Sequence, residues 1–89
     1  MPELFLTARA KRDLAALPRT IQEAVVETLT LLEADPEETG KQLRGRLRGL
    51  WSCRVGNYRI LYTIEGKRPR IIVRGIRHRG IAYRTSRRR

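Results

Sequence analysis

Leu50-Trp-Ser-Cys-Arg-Val-Gly-Asn-Tyr-Arg-Ile-Leu-Tyr-Thr-Ile64 reads as two β-strands joined by a short turn. Trp51, Cys53 and Val55 alternate with Ser52 and Arg54, the period-two pattern of a half-buried strand. Gly56 and Asn57 supply the turn, because both tolerate positive φ. From Tyr58 to Ile64 the alternation resumes in residues that favour strands. Successive side chains on a strand point to opposite faces. If Trp51, Cys53 and Val55 face the core, Arg54 faces away from it. The simplest pairing puts Arg54 and Arg59 on the same open face, where two guanidinium groups on one rigid hairpin make a site for phosphate. The same alternation sends Trp51 into the core and makes Cys53 a buried, inert thiol.

Upstream, Leu4-Phe5-Leu6 is expected to be a first strand and Thr7 to cap a helix. Ala10, Leu14 and Leu17 fall on one face of that helix, and Pro18 is expected to end it. Thr20-Ile-Gln-Glu23 has the capping-box pattern for a second helix. Ile21, Val25, Leu29 and Leu32 form its apolar stripe, and Asp35-Pro36 stops it. The two helices are joined by little chain, so an antiparallel hairpin serving as scaffold is expected.

Residues 37–49 read as a pliable connector that changes sign, from Glu37-Glu38 to Lys41, Arg44, Arg46 and Arg48. Basic residues on a glycine-containing loop can follow a phosphate backbone. Glu65-Gly-Lys-Arg-Pro69 is a further turn. Ile71-Ile72-Val73 predicts a strand in the middle of the sheet, buried on both faces, and Gly75 is expected to weaken or kink it. A short segment from Gly80 to Arg84 and a basic tail expected to be disordered complete the chain. The expected architecture is α+β. An N-terminal strand and an antiparallel helical hairpin pack on one face of a mainly antiparallel four-stranded sheet, with one domain over residues 1–84 and the tail over 85–89.

Eighty-nine residues suit one domain with a modest core. No apolar run reaches the roughly 18 residues of a membrane span, and the start lacks the layout of a signal peptide. One cysteine forms no internal disulfide, and with a single histidine suggests no metal site; no cofactor is expected, and a cytoplasmic location is. The net charge of +11 is unevenly spread: residues 1–40 carry −4 and residues 41–89 carry +15, with Glu65 the one acidic residue of the second half. Such a field favours polyanions, nucleic acid first. An anionic membrane fits less well, because the basic residues lie on strands and not along an amphipathic helix.

Lys41-Gln-Leu-Arg-Gly45, the stretch from Leu50 to Tyr62, and His78-Arg79 through Tyr83 together resemble the RelE/ParE superfamily of toxins from type II toxin–antitoxin modules. The shared pattern is Trp-x-x-Arg-Val-Gly-x-Tyr-Arg-x-x-Tyr followed by His-Arg-x-x-x-Tyr, and the resemblance covers nearly the whole chain. It implies a RelE-like fold and one of two activities: RelE-type members cut mRNA in the ribosomal A site, whereas ParE-type members poison DNA gyrase by protein binding. A plain RNA-binding module is a third possibility. The resemblance assigns site roles to Arg54, Arg59, Arg79 and Tyr83. Ser52 departs from the pattern, standing where some RelE toxins have a second lysine.

An endoribonuclease of this kind activates the ribose 2′-OH, stabilises the phosphate charge and protonates the leaving 5′-oxygen. On this chemistry Arg59 is expected to clamp the phosphate, Arg79 to stabilise the leaving group, and Arg54 to lower the barrier to 2′-OH deprotonation, although an arginine is a poor proton shuttle. Tyr83 would stack on a base. His78 has a pKa suited to a general base, yet alternation turns it away from the face of Arg79. The implied partners are mRNA, the ribosome and a cognate antitoxin whose acidic or amphipathic segment wraps the toxin in a hetero-oligomer.

Overall fold

A computed structural model describes residues 3–47 and 49–78. The elements are β1 (Glu3–Leu6), α1 (Ala8–Ala15), α2 (Arg19–Ala34), the one-turn helix α3 (Pro36–Thr39), β2 (Lys41–Gln42), β3 (Trp51–Val55), β4 (Tyr58–Glu65) and β5 (Arg70–His78). The strands form one sheet in the order β1-β5-β4-β3-β2. Among the described residues only the β1–β5 pairing is parallel. The sheet is thus mainly antiparallel as expected, with β2 adding a fifth strand. The segment Gly80–Arg84 and the tail lie outside the described residues.

Thr7 joins the first strand to the first helix. Its N–H donates to the Val73 carbonyl at 3.0 Å, extending the β1–β5 pairing by one residue. Its hydroxyl accepts from the Ala10 N–H at 3.1 Å, the N-cap bond that satisfies a free donor of α1, and donates to the Arg74 carbonyl at 3.3 Å. Helix α1 stops at Ala15, short of Pro18, with the Ala16 N–H shared between the Arg12 and Asp13 carbonyls. The expected Thr20 capping box does not form. Pro18 (φ −56°, ψ 149°) occupies the N-cap position without a side-chain bond, and its carbonyl receives the Gln22 N–H at 2.8 Å. Proline fixes its own φ and leads the chain directly into α2, so the helix starts one residue before Thr20. The Gln22 amide ties the two helices together by donating to the Leu14 carbonyl at 3.0 Å.

The core lies between the helices and one sheet face. Ala10, Val25, Leu29 and Leu32 meet Cys53, Val55, Ile60, Tyr62, Ile71, Val73 and Ile76. A bulge makes the last of these possible. Leu61 faces Gly75 and Tyr62 faces Val73, so Arg74 is the extra residue on β5. Without it, Val73 and Ile76 would fall on opposite faces; with it, both are buried. Ile71-Ile72-Val73 does lie inside the sheet, between β1 and β4, but Ile72 is only half-buried, because its face carries no helix.

The connector is more ordered than its composition implies. Asp35 ends α2 and caps α3, accepting the Glu38 N–H at 3.2 Å, and Pro36 sits where a helix tolerates proline. The buried Tyr62 hydroxyl donates to the Pro36 carbonyl at 2.6 Å, and the Trp51 ring stacks on that of Tyr62 at 6.1 Å. Gly40 crosses above this ring. A Cβ there would overlap the hydroxyl, and would stand 2.9 Å from Cζ and 3.0 Å from the Ser52 carbonyl oxygen.

Gly40→Ala is therefore expected to destabilise the protein by about 2–4 kcal/mol, through overpacking and loss of the Tyr62 bond. Thermal unfolding followed by circular dichroism checks this, and an unchanged midpoint contradicts it. Burial, and secondarily Cys53, also raises the Tyr62 pKa above its ordinary 10.0. The folded state then holds that proton more tightly than the unfolded chain, so the contribution is complete below 10.0 and is lost as pH rises beyond it. Tyr62→Phe is expected to lower stability at neutral pH and to flatten its decline between about pH 9 and 11, as read from urea midpoints.

Candidate nucleic-acid interface

The face turned away from the helices is built by the same alternation that builds the core. On β3 it displays Ser52 and Arg54; on β4, Arg59, Leu61, Thr63 and Glu65. Arg59 faces Arg54 on one neighbouring strand and Arg77 on the other. Three guanidinium-bearing residues thus stand in a row across three strands, with paired Cα atoms about 4.5–5.5 Å apart. Like charges facing one another on a sheet cost roughly 0.2–1 kcal/mol per pair. An anion lying along the row turns that repulsion into attraction.

Each arginine has a distinct support. Arg54 curls over the turn, its Nε donating to the Gly56 carbonyl at 3.2 Å, where Gly56 has φ 58°. Arg59 donates from Nη1 to the Ser52 hydroxyl at 3.3 Å. Ser52 is only 5% exposed, so the residue that departs from the family pattern works as a buried rest for the central arginine. Arg77 places Nε 3.6 Å from Asp13 Oδ2, an ion pair longer than a hydrogen bond. Arg74, by contrast, is neutralised within the sheet. It forms an ion pair with Glu65, and both bond the Thr63 hydroxyl. The Thr63 and Arg74 hydrogen bonds hold the Glu65 carboxyl below its ordinary pKa.

Lys41 faces Ser52 on β3 and lies on the same side as the row, one step toward the sheet edge. Arg44 follows β2, and Arg46 lies in a single 3-10 turn, Gly45–Leu47; both are exposed. These residues widen the positive surface beyond the row. Phe5 and Ile72 occupy the opposite end of the open face, beside Thr63 and the Glu65–Arg74 ion pair. Arg48, Arg79 and Tyr83 lie outside the described residues. His78 faces Tyr58, whose strand positions share the side of Ile60 and Tyr62, and their rings meet edge to face at 5.3 Å. It stands across the sheet from the arginine row, exposed at the strand end. Cys53 is buried in the core, and burial raises its thiol pKa.

Arg77 is the member of the row that sequence reasoning missed. Its place opposite Arg59 depends on the bulge at Arg74, which resets the alternation of β5. Asp13 was invisible for another reason: it reaches β5 from a helix 63 residues earlier in the chain.

The chain matches the model of the ParE toxin of the type II toxin–antitoxin system parDE over residues 4–83. It is 40% identical to Toxin RelG of Mycobacterium tuberculosis over 79 residues, covering 88% of this chain and 91% of that one. It is 41% identical to Toxin RelE of the same organism over 80 residues, covering 89% of this chain and 82% of that one. Among solved structures it resembles the toxin–antitoxin complex RelBE2 of M. tuberculosis, with a TM-score of 0.79 and 38% identity, covering 89% of this chain and all of the matched one. The fold is also that of the intact Escherichia coli RelBE toxin–antitoxin complex, with a TM-score of 0.74 at 21% identity, covering 88% and 96%. On a strand–helical hairpin–sheet fold matched over nearly its full length, the chain belongs to the RelE/ParE superfamily of toxins from type II toxin–antitoxin systems.

Proposed function

We propose that the protein is a ribosome-dependent endoribonuclease that cuts mRNA in the ribosomal A site. The observation that carries this reading is the cross-strand row Arg54–Arg59–Arg77. Planar guanidinium groups grip phosphate oxygens bidentately and stay charged at any physiological pH. In the reaction, the ribose 2′-oxygen attacks the adjacent phosphorus as its proton leaves. The bond from phosphorus to the 5′-oxygen then breaks, and that oxygen gains a proton. The products are a 2′,3′-cyclic phosphate and a free 5′-hydroxyl. Negative charge grows on the phosphoryl oxygens midway, and Arg59, at the centre of the row, clamps them there. Arg54 stabilises the developing 2′-oxyanion, Arg79 serves the leaving group, and Tyr83 stacks on a base. The arginines make poor proton shuttles, so electrostatic stabilisation carries most of the rate. Lys41, Arg44, Arg46 and Arg48 hold the RNA backbone alongside.

The relatives RelG and RelE support this activity by their names, and the RelBE complexes support an antitoxin partner. We infer an antitoxin segment, acidic or amphipathic, that pairs with the arginine row and holds the toxin inactive in a cytoplasmic hetero-oligomer. The ParE name of the matching family model favours the second reading, inhibition of DNA gyrase without cleavage.

Primer extension on a defined mRNA, with ribosomes halted at an empty A site, separates the two. Ribosome-dependent cuts at the A-site codon are expected, with Arg59→Ala and Arg79→Ala each slowing them roughly 100-fold or more. Intact mRNA together with inhibited supercoiling would establish the gyrase reading instead. In titrations with single-stranded RNA, Arg59→Ala is expected to reduce the slope of log affinity against log salt by about 0.7, while Arg19→Ala on α2 leaves it unchanged. Equal slopes for Arg59→Ala and the wild type would remove Arg59 from the interface.

A further inference from the structure

We propose that Asp13 is a positioning residue that orients Arg77 for the phosphate, an inference that rests on the endonuclease reading above. Beyond Val73 the outer edge of β5 is no longer paired to β1, and α1 lies against it. There Asp13 Oδ2 accepts the Ile76 N–H at 3.0 Å and stands 3.6 Å from Arg77 Nε, while Oδ1 lies 4.0 Å from Arg9 Nε. The carboxylate is anchored by a backbone bond that does not depend on either arginine. It is 20% exposed and the Arg77 side chain 31%, so solvent screens the pair only in part.

Gly75 lets the carboxylate in. A Cβ at that position would come within 3.3 Å of Asp13 Oδ2 and 3.4 Å of Arg77 Nε. Its φ is not positive, so the glycine provides space here and not backbone freedom. The geometry also divides the guanidinium. Nε turns toward Asp13, and among the described residues nothing bonds the two Nη atoms, whose four N–H bonds can meet an anion. The ion pair biases a flexible side chain toward one approach before substrate arrives, the condition under which positioning accelerates a reaction.

A purely structural Asp13 would serve the Ile76 N–H alone. Asp13→Asn separates the roles, because the amide oxygen still accepts that bond while the charge is gone. If Asp13 positions Arg77, Asp13→Asn binds RNA as tightly as the wild type or slightly more so, since the net charge of +11 rises by one. Its single-turnover cleavage on programmed ribosomes falls roughly 10- to 100-fold. Asp13→Glu restores part of the rate, and the Arg77 Nε–H resonance exchanges with water faster in Asp13→Asn than in the wild type. Three results would overturn the proposal: wild-type cleavage by Asp13→Asn, a rate and affinity that fall together with thermal stability, or unchanged exchange at Arg77 Nε–H. A wild type that cuts no mRNA overturns the endonuclease reading itself and the inference with it. That outcome is told apart because it appears before any variant is compared.

Discussion

The hydroxyl of Tyr62, buried in the middle of β4, must find an acceptor, and it finds the Pro36 carbonyl at 2.6 Å. A buried hydroxyl left without a partner costs about 1–3 kcal/mol, a large share of the stability of a small domain. The bond fixes where α3 sits over the sheet, and α3 in turn fixes where the chain emerges at Gly40. Only a residue without a side chain passes over the ring at that point. The next two residues fall into register against β3, Lys41 facing Ser52 and Gln42 facing Trp51. Trp51 completes the arrangement by stacking on Tyr62. A single polar atom in the core thus steers the basic connector to the edge of the arginine face.

The sheet is a plate with two different demands on it. One side is covered by helices and stabilised by apolar burial. The other concentrates like charge in the Arg54–Arg59–Arg77 row, which works against folding. The fold tolerates the row because each arginine leans on something rigid: a turn carbonyl, a buried serine hydroxyl, or a carboxylate from α1. Arg74, whose charge is met by Glu65, shows how the same strand handles an arginine held within an ion pair.

Family membership leaves the activity open, because one fold can host different functions and the distinction lies in the side chains it presents. Here the matching family model is named for ParE while the relatives at about 40% identity are named for RelG and RelE. The helical hairpin and core are scaffold for either activity. The residues that bear on the difference are those of the open face, where three arginines stand on neighbouring strands.

Much of this was determined by local sequence. The alternation from Leu50 to Ile64 defines a hairpin with one apolar and one basic face, and the stripe of Val25, Leu29 and Leu32 defines the covering helix, because both depend only on the period of the backbone. Thr7 is legible as a cap because its hydroxyl reaches a free N–H of the helix that directly follows it. Helix starts were less so: Thr20-Ile-Gln-Glu23 has the composition of a capping box, but Pro18 had already set the chain into the helix. Tertiary structure alone decided the remainder. Whether Arg77 joins Arg54 and Arg59 depends on a bulge that shifts the register of β5 by one residue; Gly75 announces a kink there, but only the pairing with β4 says which way the register moves. The path of residues 36–42 depends on a hydroxyl 26 positions away from its acceptor. The carboxylate that holds Arg77 comes from a helix at the other end of the chain. Periodicity fixes which way a side chain points from its own strand; only packing decides which side chains from distant segments meet.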